Sequence, residues 1–117
     1  MKNDEDILQA EIVKWYNNTY CLKFHSTPGV IFSVPNGGNR NKVEAMKFKA
    51  TGLMAGVSDL IVILPTGLLL FIEIKTPNNT QQPNQIEFEN IVNKLGFQYH
   101  IIRSLDQFKQ LIWQNLK

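Results

Sequence analysis

The chain of 117 residues holds one cysteine, Cys21. It forms no internal disulfide, and scaffolds held by disulfides or by a cysteine-rich zinc cluster are excluded. Its two histidines, His25 and His100, have no carboxylate partner at a metal-binding spacing and read as structural. Long apolar runs are missing too. The longest, Leu60 to Leu64 and Leu68 to Ile72, fall far short of the roughly 20 residues that a membrane span needs. The start, Met1-Lys2-Asn3-Asp4-Glu5-Asp6, is acidic and lacks the basic-then-apolar order of a secretion signal. A cytoplasmic protein with no membrane partner is expected.

A strong excess of one charge is also lacking, since 12 basic residues meet 10 acidic ones. The small surplus is nevertheless local. Between Pro35 and Gly52 four basic residues (Arg40, Lys42, Lys47, Lys49) face one acid, Glu44, for +3, while elsewhere eight basic residues meet nine acids, for −1. A patch that binds anions and an ordinary solvated helix face both fit this. Hydrophobic residues at 44% and charged residues at 19% are enough for a packed core and argue against disorder. The length suits one domain over residues 1–117.

Periodicity predicts the order α-β-α-β-β-α-β-α, an α/β fold with a mixed sheet flanked by helices. Residues 4–19 read as a helix, with Asp4, Glu5 and Asp6 in its first turn and Leu8, Ile12 and Trp15 at helical spacing. Val30, Phe32 and Val34 alternate as a strand, and Pro35 to Asn39 is a turn by composition. Val43, Met46, Ala50 and Leu53 recur as on a second helix. The runs 57–64 and 68–75 read as strands of a hairpin about Pro65-Thr66-Gly67, apolar on both faces and so placed mid-sheet. Pro83 suits the start of a helix whose buried stripe is Ile86, Ile91, Val92 and Leu95. Phe97, Tyr99 and Ile101 form a last strand. Ser104 and Gln107 make a capping box for a final helix carrying Leu105, Phe108, Leu111 and Ile112.

The chemistry concentrates at the end of the second hairpin strand, Leu69-Leu70-Phe71-Ile72-Glu73-Ile74-Lys75. Alternation puts Phe71, Glu73 and Lys75 on one face, so two charged groups continue an apolar row. With a three-residue loop, paired positions place Asp59 opposite Glu73. Any odd loop length keeps the two on one face, whereas a two-residue turn separates them. Like charges directly across a ladder destabilise it, so this pair requires a shared proton or a cation. Magnesium suits the site as a hard ion that takes carboxylate oxygens, waters and phosphate. Lys75 would then stabilise charge on a phosphate or help to place the attacking water.

These residues resemble a known family. Gly56-Val57-Ser58-Asp59-Leu60 followed by Glu73-Ile74-Lys75 is similar to the active-site signature of the PD-(D/E)XK nuclease superfamily. Pro35-Asn36-Gly37-Gly38-Asn39-Arg40, Lys49-Ala50-Thr51-Gly52-Leu53 and Gln85 resemble the VRR-NUC branch in its stand-alone form, as found in phages and bacteria. The likeness runs from about Glu5 to Phe108. It implies a restriction-endonuclease-like fold in which Asp59, Glu73 and the Ile74 carbonyl bind a divalent metal and Lys75 is the catalytic lysine. Glu5, four positions before Gln9, matches the family's first-helix acid, with Glu11 as the competitor. Gln85 would orient Lys75 or contact substrate; the other reading is an ordinary polar residue in the first turn of its helix. Ser58 stands where the family usually has proline. Asn36, Gly37, Gly38 and Arg40, with Lys47 and Lys49, would bind DNA phosphates, the glycine amides and the arginine fork both suiting that contact; the other reading of Asn36-Gly37-Gly38 is a plain tight turn.

The resemblance therefore implies a Mg2+-dependent endodeoxyribonuclease, Mn2+ substituting, with no small-molecule cofactor. Its substrate would be branched DNA such as four-way (Holliday) junctions, cut by a homodimer in the cytoplasm of a bacterial or phage-infected cell. Trp113 and Leu116, off the stripe of the final helix, offer apolar surface for the partner or fold back on their own chain. The alternatives are a non-catalytic nucleic-acid-binding module that keeps the fold, a domain whose carboxylates hold a structural ion, and a flap or nicking nuclease acting as a monomer.

Overall fold

The computed structural model describes residues 4–21, 28–35 and 50–115. Its centre is the expected hairpin, strands β2 (Leu60–Ile63) and β3 (Leu69–Ile74). The loop closes as the three-residue count requires. Leu64 exchanges bonds with Leu68 and Gly67, its N–H reaching Leu68 O at 2.9 Å and its carbonyl accepting from Gly67 at 2.8 Å. Gly67 takes φ +89°, which residues with a Cβ adopt only at a cost. The register follows, with Leu60 opposite Ile72 and Ile63 opposite Leu69.

Strand β1 (Val30–Ser33) pairs antiparallel with β2. Strand β4 (Gln98–Ile102) pairs parallel with β3, Leu70 with Gln98 through Ile74 with Ile102. The sheet order is β1-β2-β3-β4, which puts the doubly apolar strands in the middle. A parallel neighbour needs a crossover, and helix α2 (Pro83–Lys94) supplies it. Helix α1 (Asp4–Trp15) precedes the sheet and α3 (Leu105–Gln114) ends the described chain. The second expected helix, that of Val43, Met46, Ala50 and Leu53, lies outside the described residues up to position 49.

One face of the sheet, with Leu60, Val62, Leu70, Ile72 and Ile74, packs against α1 and α3 in the main core. Helix α1 runs into a π-helical turn at Tyr16–Tyr20. This wider turn brings both tyrosines inward, their rings stacked at 4.9 Å, and the Tyr16 hydroxyl donates to Ile63 O at 3.2 Å. Helix α3 uses the predicted stripe, with Phe108, Leu111 and Ile112 buried. Trp113 packs edge-on against Trp15 and Tyr20, with centroids 6.1 and 5.7 Å apart, so its own chain takes up part of the surface held open for a partner.

Helix α2 covers the other face and buries Val92 of the expected stripe, with Phe88 in place of Ile86, Ile91 and Leu95. Its buried residues are Phe88 and Val92, while Ile86 and Ile91 remain exposed and Leu95 is 69% exposed. Aromatic packing sets the rotation. Phe88 meets Phe71 at 5.3 Å and Tyr99 at 6.2 Å, both edge-to-face, an arrangement that adds to area burial and outweighs the aliphatic count.

Candidate active site

The open end of the hairpin carries the two carboxylates. One step beyond the Leu60–Ile72 pair, Asp59 stands opposite Glu73, as the loop count predicts. Two backbone bonds hold Asp59 there. Its carbonyl accepts from Val34 N–H at 2.9 Å, and its Oδ2 accepts from Ile74 N–H at 2.7 Å. Behind it, Ser58 is fully buried and its hydroxyl donates to Leu60 O at 3.2 Å, which fixes the backbone where the family usually has proline. Gly56, at φ +86°, lies so close to α2 that a Cβ would collide with the Asn84 carbonyl. This contact draws the Gly56-to-Asp59 segment onto the helix start.

Glu73 is 2% exposed. Its Oε2 accepts from Gln85 Nε2 at 2.9 Å and lies 3.8 Å from Lys75 Nζ. Its Oε1 is buried with no hydrogen-bond donor. Burial, then the Asp59 charge, pushes the Glu73 carboxyl well above the ordinary carboxylate range, Lys75 offsetting part of this. Burial raises Asp59 as well, against the Ile74 N–H bond that lowers it. Lys75 is buried, at 7% exposure. Gln85 does two jobs at the first turn of α2. Its Oε1 accepts from Gln82 N–H at 2.8 Å, closing a capping box, while its amide holds Glu73. It therefore meets Glu73, and no bond to Lys75 is seen.

Glu5 borders this pair. Its charge raises both carboxyls, but its Oε2 accepts from Thr76 N–H at 3.3 Å and Asn79 Nδ2 at 3.0 Å. Among the described residues no three His, Cys, Asp or Glu groups cluster as a metal site. Glu11 is exposed and lines a separate hollow with Trp15 and Leu105, so Glu5 is the first-helix acid that lies beside the pair. Asn36, Gly37, Gly38, Arg40, Lys47 and Lys49 lie outside the described residues. The described chain leads toward that segment through Val34, the residue bonded to Asp59.

Sequence reasoning missed Asn79 and Arg103. Arg103 Nη1 donates to Thr76 O at 2.7 Å and Asn79 O at 2.8 Å, in the turn that follows Lys75. The parallel register that sets Ile74 beside Ile102 places Arg103 next to Lys75, and no pattern within either strand gives that register.

The donor set suits a cation: Glu73 Oε1 is buried without a donor, and Asp59, which interacts with Glu73 side chain to side chain, faces it across the ladder. A hard divalent ion that takes oxygen ligands fits this donor set.

A mixed sheet with a paired Asp and Glu, and a Lys two residues after the Glu, at the open end of its central hairpin defines the restriction-endonuclease-like class. The model of the VRR-NUC domain, a nuclease-type domain, matches residues 3–106, and the chain belongs to the VRR-NUC family. Solved structures share the fold, two among them described by this domain. One, described as a VRR_NUC domain protein, is 24% identical with a TM-score of 0.73, over 99% of this chain and 90% of that one. The other, described as a VRR_NUC domain, is 23% identical with a TM-score of 0.62, over 97% and 99%. No curated protein matches the chain. Among the described residues no helix is long and apolar enough to cross a membrane.

Proposed function

We propose that this VRR-NUC domain is a metal-dependent, structure-selective endonuclease that hydrolyses phosphodiester bonds in branched DNA such as four-way junctions. The observation that carries the reading is the buried Glu73 Oε1, without a donor, set against Asp59 and next to Lys75. Asp59, Glu73 and the Ile74 carbonyl would hold Mg2+, or Mn2+ in its place. When bound, the ion supplies Lewis-acid polarisation of the phosphate and neutralises charge developing there.

The protein's own groups do the rest. Gln85 holds Glu73 in place through one oxygen and leaves the other free. Asp59, tied to Ile74 N–H, fixes the backbone that bears the Ile74 carbonyl. Lys75 brings a buried positive charge beside Glu73, suited to stabilising an oxyanion on the phosphate. Glu5 adds negative charge from α1 and is the resemblance's third acidic ligand. Asn36, Gly37, Gly38, Arg40, Lys47 and Lys49 would take the flanking phosphates, which positions DNA without reading sequence. Two coordinated cuts across a junction call for a homodimer with two such sites, working in the cytoplasm of a bacterial or phage-infected cell.

The test incubates labelled junction, flap and linear DNA with and without Mg2+. Junction cleavage is expected with Mg2+ or Mn2+ alone, and Asp59→Asn or Glu73→Gln is expected to reduce it at least about 100-fold while the protein stays folded. Undiminished cutting by either purified variant would sink the assignment. A second reading, a monomeric nuclease that nicks flaps, is favoured by Trp113 packing on its own chain. Light scattering separates the two: a monomer of 13.4 kDa, free and on junction DNA, excludes paired cutting.

A further inference from the structure

Lys75 lies one residue past Ile74 and Ile102, the last paired residues of β3 and β4. A chain leaving a sheet at this point has no ladder to hold it. Lys75 N–H still reaches Ile102 O at 3.1 Å, but beyond it side chains take over. Thr76 N–H is held by Glu5. Thr76 O accepts from Asn79 N–H at 3.1 Å, which closes a turn with Pro77 in second place. Arg103 Nη1 then gathers the carbonyls of this turn, Thr76 O at 2.7 Å, Asn79 O at 2.8 Å and Pro77 O at 3.5 Å.

Arg103 is itself held. Its N–H donates to Gln107 Oε1 at 2.7 Å, and Gln107 N–H donates to Ser104 Oγ at 3.1 Å at the start of α3. The cap of α3 therefore fixes the arginine, and the arginine fixes the turn. Its guanidinium bonds go to backbone carbonyls. All come from one nitrogen, Nη1, whose two N–H bonds are fixed in the guanidinium plane, whereas the donors of an ammonium rotate on a flexible stem.

We propose that Arg103 is a positioning residue for Lys75. By pinning the turn 76–79 it sets the backbone from which the Lys75 side chain projects toward Glu73. The proposal rests on the nuclease reading, because the position of Lys75 matters to a rate only if Lys75 acts on a phosphate. Small misplacements of a reacting group are costly in rate, while the affinity for DNA, made elsewhere, is untouched.

The test uses the full chain with Mg2+ and junction DNA, comparing single-turnover cleavage and amide hydrogen exchange for wild type, Arg103→Ala and Arg103→Lys. Arg103→Ala is expected to lower the maximal rate about 10-fold to about 100-fold, with the half-saturating DNA concentration unchanged. The Thr76 and Asn79 amides are expected to exchange at least about 10-fold faster, with Val62 and Leu70 protected as in wild type. Arg103→Lys, which keeps the charge without the fork, is expected to fall between the two and carries the comparison if the alanine variant does not fold. A folded variant with wild-type exchange at Thr76 and Asn79, or with a wild-type maximal rate, overturns the proposal. Weaker DNA binding at an unchanged maximal rate does so too, making Arg103 a phosphate contact. A wild type that cuts no DNA overturns the nuclease reading and this role with it, whereas an active wild type with unaffected variants overturns the role alone.

Discussion

At its closed end the β2–β3 hairpin is held mainly by the backbone: Leu64 N–H donates to Leu68 O and Gly67 N–H to Leu64 O, with the Thr66 hydroxyl accepting weakly from Leu68 N–H. At its open end side chains intervene. Asp59 takes the Ile74 N–H, Gln85 takes one Glu73 oxygen, and the other has no donor. One register produces both ends, because the loop that closes the turn also decides which residues meet about 14 positions apart. The comparison separates two roles: the turn sets the register, and the mouth holds two like charges that the register forces together.

The largest break in this contrast is expected at the mouth. Beyond the loss assigned to Asp59→Asn and Glu73→Gln, Gln85→Leu removes the support of Glu73 and half of the α2 capping box. It is expected to lower single-turnover cleavage about 10-fold to about 100-fold and stability by about 1 kcal/mol in urea titration. Wild-type cleavage by this variant would mean that burial alone holds Glu73.

The closed end is expected to respond in the opposite sense. Gly67→Val forces a β-branched residue to φ +89° and is expected to cost about 1–2 kcal/mol, read from the urea midpoint, while cleavage by the folded fraction stays at the wild-type rate. A large loss of activity there would show that the turn controls the mouth beyond setting its register.

The smallest effect concerns pH. Glu73, with its folded value raised, binds more protons folded than unfolded. Its stabilising contribution is complete below the unfolded value and is lost as pH rises through the folded one. In chelator, the melting temperature of the wild type is therefore expected to decline with rising pH above the ordinary carboxylate range. Glu73→Gln, which cannot ionise, flattens that decline. Thermal melts across this window check it, and parallel curves for the two proteins would refute it.

How much of this was readable in advance depends on how local each pairing is. The facing of Asp59 and Glu73 was legible because an antiparallel hairpin takes its register from three loop residues. The burial of Phe108, Leu111 and Ile112 was legible because α3 has one apolar stripe. The β3–β4 register was not, since a crossover helix sets it and nothing within either strand encodes it, so Arg103 beside Lys75 went unread. The face of α2 was misread in part because Phe88 meets the rings of Phe71 and Tyr99, a match between three elements that helical periodicity does not contain. Glu5 and Glu11 could not be separated by spacing on α1; the contact with Thr76 and Asn79 distinguishes them.

The bonds around the mouth span very different lengths of chain. The Asp59–Ile74 bond joins residues 15 apart, the Arg103–Thr76 bond residues 27 apart, and the Glu5–Thr76 bond residues 71 apart. Closing the longest costs about 1.4 kcal/mol more entropy than closing the shortest, by logarithmic loop scaling. On loop closure alone, the carboxylate pair is the easiest of these contacts to form and the Glu5 contact the hardest. The Thr76 amide, held from α1 across 71 residues, is therefore expected to exchange faster than the Ile74 amide, held by Asp59 across 15.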